Sequence, residues 1–270
     1  MRGYLAFDLT VYGPKVAVNS GNYGNWVPNP ALRLAGLLAS MKNAEGRVLV
    51  DGFYDGIAPL ALEEQAMLAA VPDDPASLMK VIGIAAPERP DLSLQQALQL
   101  PTLNIRGLSS GVVGTDATLV IPDRATAFLE VRLVKETPAK AMADKILAHI
   151  RAQGFHVVQS EPDDDTRSRY PHIVKAVLRG GAAEGWRTPP LAPEAQLVTA
   201  AVTRVLGEPP VLIRTMGQRL NIAQFLDVMG VPAIVLATVN FDNNQTAENE
   251  NLRLGHLFTA ITTIAAVLTM

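Results

Sequence analysis

Residues 4–14 of the sequence read Tyr-Leu-Ala-Phe-Asp-Leu-Thr-Val-Tyr-Gly-Pro. Within this stretch Leu5, Phe7, Leu9 and Val11 alternate with less apolar residues. A period of two places the four large apolar side chains on one face, which is typical of a strand with one buried side. The Gly-Pro pair marks the end of the strand because glycine and proline favour turns. This first strand sets the expectation of a sheet that is covered on one side only.

The residues that follow predict helices and further strands. Asn29-Pro30 fits an N-cap followed by proline at the first helical position, and apolar residues recur at helical spacing over 31–41. We expect an irregular insertion over residues 51–100. After it come strands at 102–108, 117–134 and 155–160, with a helix over 138–153. Residues 1–162 are therefore predicted to form an α+β sandwich with an antiparallel sheet.

Residues 163–270 show a different pattern. Helices are predicted at 194–206, 221–229 and 251–268, and apolar strands at 211–215 and 233–239. Alternation of helices with fully apolar strands is typical of a parallel α/β layer. Two strands do not make a stable parallel sheet, so we interpret this region as an incomplete α/β segment.

Composition excludes several classes of function. The formal net charge is −3 and no Lys/Arg stripe is present, which argues against a nucleic-acid partner. Cysteine is absent, so the chain has no disulfide framework, no thiolate nucleophile and no cysteine metal site. No apolar run reaches the roughly 18 residues of a membrane span. We expect a cytoplasmic protein without a membrane partner and without a cofactor.

Several stretches resemble one known family, in the family's own order. They are Phe7 to Pro14, Ser20 to Pro30, Gly52-Phe53-Tyr54-Asp55, Val120-Ile121-Pro122, Arg132-Leu133-Val134 and Asp242 to Leu254. The family is that of carnosinase, acetylornithine deacetylase and succinyl-diaminopimelate desuccinylase, the zinc peptidases of metallopeptidase family 20. The resemblance implies a dimerisation (lid) domain followed by the C-terminal part of a zinc-peptidase catalytic domain. It also implies dimerisation through the first domain.

The chain departs from the family at most of the positions that carry chemistry. Asn19 stands where the family has a histidine that reaches across the dimer, and Leu119 stands where it has an asparagine. Gly217-Gln218-Arg219 replaces a Gly-Gly-Thr/Ser turn, and Thr246 replaces a zinc-ligating histidine. Arg132, which binds the substrate carboxylate in the family, is present. Since a threonine hydroxyl is a poor zinc ligand, no metal is expected on this chain.

Each of these positions also has an ordinary structural interpretation. Arg132 lies on the same strand face as Glu130, and the two side chains suit a solvated ion pair. Asn19 suits an Asn-Ser-Gly turn with positive φ, and Gly217 suits a simple connection to the next helix. In the polar loop over residues 240–251, Asn249 or Asn251 suits the N-cap of the last helix.

Two functions remain open from the sequence. The first is a metal-free enzyme that performs elimination, cyclisation or group transfer on a small anionic, amino-acid-like substrate. Arg132 and the turn Gly217-Gln218-Arg219 would hold the substrate, while Asn19 and Thr246 or Gln245 would contact the reacting region. The second is a non-catalytic subunit that dimerises and completes its α/β layer against a separate chain resembling the family's N-terminal half.

Overall fold

The computed structural model describes residues 1–218, 220, 222–240 and 242–270. Contacts divide the chain into two compact units. The first comprises Met1–Pro59, Asp73–Trp186 and Thr215–Ala223, and the second comprises Leu60–Pro72, Arg187–Arg214 and Gln224–Met270. None of the helices in the described part of the chain has the length and apolar character needed to cross a membrane.

The first unit is built on a five-stranded sheet with the strand order β3-β5-β1-β7-β6. Every neighbouring pair is antiparallel except β6 and β7, which are parallel. The strands are β1 (Gly3–Tyr12), β3 (Thr102–Ser109), β5 (Arg124–Leu133), β6 (His156–Val158) and β7 (Ile173–Leu178), while β2 (Val18–Asn19) and β4 (Val120–Ile121) form a separate ribbon. The α+β class and the antiparallel sheet are as the sequence predicts.

One face of this sheet forms the core. Leu5, Phe7, Leu9 and Val11 of β1 are at most 1% exposed, as their alternation predicts. They pack with the odd-numbered residues of β5 and with two helices, α2 (Pro30–Met41) and α6 (Ala139–Ala152). The other face carries Tyr4, Asp8, Phe128, Glu130 and Arg132, which are polar, charged or aromatic. The sheet therefore has one apolar side and one side suited to polar contacts.

The local signals for α2 are confirmed. The Asn29 Oδ1 accepts hydrogen bonds from Ala31 N at 2.9 Å and Leu32 N at 3.4 Å, and Pro30 occupies the first helical position. The remaining helices of the first unit are short: α1 (Ser20–Tyr23), α4 (Pro75–Ile82), α5 (Leu94–Ala97) and α7 (Asp164–Arg169), with a 3₁₀ turn at Gly114–Asp116. β7 lies beyond the expected boundary at residue 162 and still joins the sheet, because it pairs with β1 over five residues.

The second unit contains helices and extended segments. The helices are α3 (Leu62–Ala69), α8 (Pro193–Leu206), α9 (Ala223–Met229, whose first residue belongs to the first unit) and α10 (Leu254–Leu268). α8 packs against α10. The strands predicted at 211–215 and 233–239 are not strands in the structure. A parallel strand needs neighbours on its edges, and the described residues supply none here.

These two segments and the helices beside them expose many apolar side chains. No backbone–backbone hydrogen bond joins residues 211–213 or 234–239 to the rest of the described chain. The exposed apolar residues of the unit include Val211, Ile213, Val235, Val239, Phe225, Val228, Leu254, Phe258, Ile261 and Leu268. Backbone without hydrogen-bond partners, flanked by exposed apolar side chains, is what a strand segment leaves when its sheet neighbours are absent.

A glycine at the start of β1 is required by close backbone approach. A Cβ on Gly3 would lie 2.4 Å from Ala183 O and 2.5 Å from Gly185 N. We expect Gly3→Ala to lower the free energy of unfolding by about 2 kcal/mol, since the backbone has to shift. Urea denaturation measures the change. Gly36→Ala is the matched control, because this exposed position inside α2 is open and the same substitution there stabilises by about 1 kcal/mol. Equal effects at the two positions would contradict the close approach.

His149 makes the stability of the first unit depend on pH. Its Nε2 lies 2.9 Å from the Ser40 Oγ, and burial lowers the pKa of its ring. Because the unfolded chain then binds the proton more readily, His149 contributes stability above about pH 6.5, and this is lost as the pH falls through the lowered pKa. His172, whose pKa burial also lowers, acts in the same direction. We expect His149→Gln to flatten the fall in Tm between pH 7.5 and 5; parallel curves would count against this assignment.

Candidate functional site

Arg132 lies on the polar face of the five-stranded sheet, near the end of β5. Strand register places it opposite Tyr4 of β1 and Thr102 of β3. Its guanidinium carbon lies 5.4 Å from the centre of the Tyr4 ring. A guanidinium over an aromatic ring is held in orientation by a cation–π interaction. Two neighbouring strands therefore position this side chain.

Glu130 fixes the guanidinium of Arg132 from the same strand face. The Arg132 Nε donates to Glu130 Oε1 at 2.5 Å, and the other oxygen of Glu130 accepts from Arg106 Nη1 at 2.9 Å. The ion pair predicted from the alternation of β5 is thus present, but it is not solvated as predicted, because the Glu130 side chain is only 7% exposed. It occupies only the Nε of Arg132, and no described residue accepts a hydrogen bond from its Nη atoms. These two nitrogens form the edge of the guanidinium that suits a carboxylate.

The turn at Gly217 and Gln218 reaches this part of the sheet through Arg2. The backbone N–H of Arg2 donates to Gln218 O at 3.1 Å, and Arg2 Nη2 lies 3.4 Å from the Oγ1 of Thr102. Thr102 is also the cross-strand partner of Arg132, so Arg2 contacts both the residue opposite Arg132 and the turn at Gln218. Arg219 lies outside the described residues.

The helix after this turn begins later than the sequence indicates. α9 starts at Ala223 rather than near residue 221, and it is 7 residues long. The N–H groups of its first turn are therefore not presented at Gly217. The backbone at Gly217 does not have positive φ, and a Cβ there would meet Leu98 Cδ2 at 3.2 Å. Glycine at position 217 is therefore explained by close packing against Leu98, and not by a role at a helix N-terminus.

Asn19 lies in the β2–β4 ribbon, where its side chain has a structural role. The Oδ1 accepts a hydrogen bond from Asn22 N at 3.0 Å and caps α1. This local structural role agrees with the turn interpretation of Asn19, although the residue does not use positive φ, since its φ is −60°. The residue is exposed, and no described residue accepts a hydrogen bond from its Nδ2. Its amide N–H groups thus remain the donors that Asn19 offers to a ligand.

Gln245 and Thr246 lie in the polar loop of the second unit, and both are exposed. The backbone N–H of Gln245 donates to Asn243 Oδ1 at 3.2 Å, and that of Thr246 lies 3.4 Å from Glu250 Oε2. Thr246 has a φ of 62°, which is a costly conformation for a β-branched residue. Strain of this kind is found where a loop holds a side chain in a particular direction.

The predicted N-cap of the last helix is wrong. α10 begins at Leu254 with Arg253 at its N-cap, rather than at Asn249 or Asn251. The buried side chain of Asn240 organises the loop instead, since its Oδ1 accepts from Arg253 N at 3.1 Å and its Nδ2 donates to Asp242 and Asn251. The hydrogen bond from Asn240, together with Arg253, holds the pKa of Asp242 below its ordinary value.

Arg2 is a residue of this region that sequence reasoning missed. It is only 6% exposed although it immediately precedes β1. Burial, and then the charge of Arg132, lower the pKa of Arg2 to about 10, while Glu130 acts in the opposite direction. A position next to the chain end gives no sequence signal for burial.

The donor set around Thr246 does not suit a zinc ion. Zinc in proteins is bound by cysteine, histidine or carboxylate ligands, and the hydroxyl of Thr246 is a poor ligand by comparison. Over the described ranges, no three His, Asp or Glu side chains come close enough together to hold a metal ion.

Comparison with protein families matches residues 1–157 to the peptidase dimerisation domain of M20 peptidases. Among curated proteins, the chain is 22% identical over 270 residues to the Cys-Gly metallodipeptidase DUG1 of Saccharomyces cerevisiae, covering 99% of this chain and 54% of that protein. It is 24% identical over 257 residues to the Beta-Ala-His dipeptidase of Rattus norvegicus, covering 93% and 49%. The chain thus spans about half the length of these relatives.

Solved structures share the fold. The M20 family metallo-carboxypeptidase Sso-CP2 from Sulfolobus solfataricus superposes with a TM-score of 0.80 at 23% identity, covering 99% of this chain and 58% of that one. The dipeptidase Dug1p from Saccharomyces cerevisiae gives a TM-score of 0.78 at 21% identity, covering 99% and 54%. At these identities the likeness supports the α+β fold and says nothing of the chemistry.

Proposed function

Because this chain belongs to the M20 peptidase family, we propose that its Arg132 binds the carboxylate of a small, amino-acid-like substrate. The proposal rests on how the Arg132 guanidinium is held and on which of its nitrogens are used. Arg132 Nε donates to Glu130 Oε1 at 2.5 Å, and the guanidinium lies over the Tyr4 ring with its carbon 5.4 Å from the ring centre. No described residue accepts a hydrogen bond from the Nη atoms. A planar donor fork held in this way suits a carboxylate, with two parallel charge-assisted hydrogen bonds.

We further propose that the chemistry proceeds without a zinc ion held by this chain. The family resemblance puts Thr246 at the position of a zinc histidine, and among the described residues no three His, Asp or Glu side chains come close enough together to hold a metal ion. What remains is positioning and charge stabilisation, which suit elimination, cyclisation or group transfer better than hydrolysis of an amide. The relatives that match are dipeptidases and a metallo-carboxypeptidase, so this chemistry would be a departure from theirs.

The other candidate residues keep their roles as proposals. Gly217 and Gln218 would help to hold the substrate, supported by the hydrogen bond from Arg2 N to Gln218 O, and Arg219 would add a positive charge. Asn19 would reach the reacting region from a second copy of the chain, as the family resemblance implies, with its Nδ2 as donor. Gln245 and Thr246 would supply further polar contacts. The dimerisation domain that residues 1–157 match supports a homodimer through the first unit.

Binding of a simple carboxylate in the presence of a chelator tests the proposal. N-acetylalanine is titrated into the protein in metal-free buffer, with and without EDTA, and then with added zinc chloride. We expect one affinity in all three conditions, because Arg132 supplies the contact. An affinity that disappears with EDTA and returns with zinc would show that a metal holds the carboxylate.

The exposed apolar surface of the second unit favours a second candidate function. The segments 211–213 and 234–239 make no backbone–backbone hydrogen bond to the rest of the described chain, and α9 and α10 expose Phe225, Phe258 and Ile261. A separate chain resembling the other half of the relatives would supply strands and cover these side chains. In that case the chain is a non-catalytic, dimerising and substrate-binding subunit, and any zinc belongs to its partner.

Co-purification from the native host distinguishes the two candidates. A partner chain that restores turnover only in the complex supports the subunit. Turnover by the purified 270-residue chain alone supports the enzyme and overturns the subunit. Both candidates require carboxylate binding at Arg132.

A further inference from the structure

Arg2 is a buried cation without a carboxylate of its own. Its side chain contacts neutral groups, with Nη2 donating to Leu100 O at 2.5 Å and lying 3.4 Å from Thr102 Oγ1. The Nε is buried and has no hydrogen-bond partner. No described acidic side chain forms an ion pair with it. Arginine is rarely this buried unless it is paired, since desolvation of the guanidinium is costly.

Strand pairing places this guanidinium beside Arg132. Thr102, which accepts from Arg2, lies directly across from Arg132 in the β3–β5 pair. Tyr4, two residues after Arg2, lies across from Arg132 in the β1–β5 pair. The two arginines therefore flank the same end of the polar sheet face. Their repulsion accompanies burial as a cause of the lowered pKa of Arg2.

The charges at this end of the sheet do not balance. Arg2, Arg106 and Arg132 bring three positive charges, and Glu130 brings one negative charge. Both oxygens of Glu130 are already used, one by Arg132 and one by Arg106. Arg132 is 29% exposed and Arg106 is 54% exposed, whereas Arg2 is shielded from water. Among these four side chains an excess of two positive charges remains, and Arg2, the buried one, is the least screened by solvent.

We propose that Arg2 is a positioning residue that makes the Arg132 site select ligands with two carboxylates over ligands with one. The buried positive charge of Arg2 attracts the second carboxylate electrostatically, while the Nη atoms of Arg132 make the hydrogen bonds to the ligand. This inference rests on the proposed function, because it takes Arg132 as the carboxylate-binding residue. The class of ligand it names is a short dicarboxylate or an acidic amino-acid derivative, whose second negative charge offsets the second excess positive charge.

Succinate and butyrate test this proposal as matched probes, since both have four carbons and differ by one carboxylate. Their affinities are measured by isothermal titration calorimetry at pH 7.5 and low ionic strength. We expect succinate to bind about tenfold more tightly than butyrate, and the ratio to shrink with added salt. Arg2→Met, which keeps the aliphatic stem, is expected to reduce the ratio to about twofold, whereas Arg2→Lys, which keeps the charge, restores most of it.

Arg106→Gln is the second variant, in case Arg2→Met does not fold. This half-exposed side chain contributes to the same charge excess, and its loss is expected to lower the ratio of succinate affinity to butyrate affinity about threefold. Equal affinities of the two probes for the wild type, with both lost in Arg132→Met, would overturn this inference and leave the carboxylate site intact. Binding of both probes that is indifferent to Arg132→Met would overturn the proposed function as well.

Discussion

Arg132→Met is expected to weaken the binding of a small monocarboxylate such as N-acetylalanine by about 100-fold, since two charge-assisted hydrogen bonds are lost. Methionine keeps much of the apolar contact with Tyr4, so the loss of affinity measures the contribution of the guanidinium group. Arg132→Lys is expected to recover little, because an ammonium group does not reproduce the planar fork. Isothermal titration calorimetry measures both variants.

Arg124→Met is the matched control for this substitution. Arg124 lies on β5 as well, on the same face of the strand, and its Nε donates to Asp123 Oδ2 at 2.8 Å. It is 48% exposed and its cross-strand partner in β1 is Tyr12, at the opposite end of the strand from Arg132. Arg124→Met is therefore expected to change the affinity less than twofold, because surface ion pairs contribute little. Equal losses in the two methionine variants would mean that general surface charge, rather than the Arg132 site, attracts the ligand.

Leu129→Ala is expected to lower the free energy of unfolding by about 3–4 kcal/mol. The side chain is 0% exposed and lies in the core between the sheet and its two helices. Its removal loses apolar burial and leaves a cavity that the packed strands do not close. Urea denaturation followed by circular dichroism measures the change.

Ile261→Ala in α10 is the contrast, because its side chain is 58% exposed. We expect this substitution to change the free energy of unfolding by at most about 0.5 kcal/mol, in line with surface positions. The difference between the losses of unfolding free energy at Leu129 and Ile261 tests whether the apolar surface of the second unit is exposed to solvent. A cost at Ile261 similar to that at Leu129 would show that this surface is already buried in solution, against another molecule.

Local signals predicted the first unit well. Alternation in residues 4–12 identified β1 because a period of two is a property of the strand itself. Asn29-Pro30 identified the start of α2, because a cap depends on residues that are neighbours in sequence. The ion pair between Glu130 and Arg132 followed from the alternation of β5, which puts both side chains on one face of that strand. Each of these features is decided within a few residues.

Features that depend on distant partners were missed. Residues 211–215 and 233–239 have the apolar pattern of strands, yet a strand also needs hydrogen-bonding neighbours. The start of α10 depends on the buried Asn240, thirteen residues before Arg253. The burial of Arg2 depends on β3, about a hundred residues away. Nothing adjacent in the sequence marks any of these contacts.

Native mass spectrometry with elemental analysis, on protein purified from its own host, tests the central claim most directly. That claim is carboxylate binding by Arg132 in a chain that holds no zinc of its own. We expect the isolated chain to carry no stoichiometric divalent ion while it still binds N-acetylalanine. A stoichiometric zinc ion retained by the isolated chain, and required for that binding, would contradict the account.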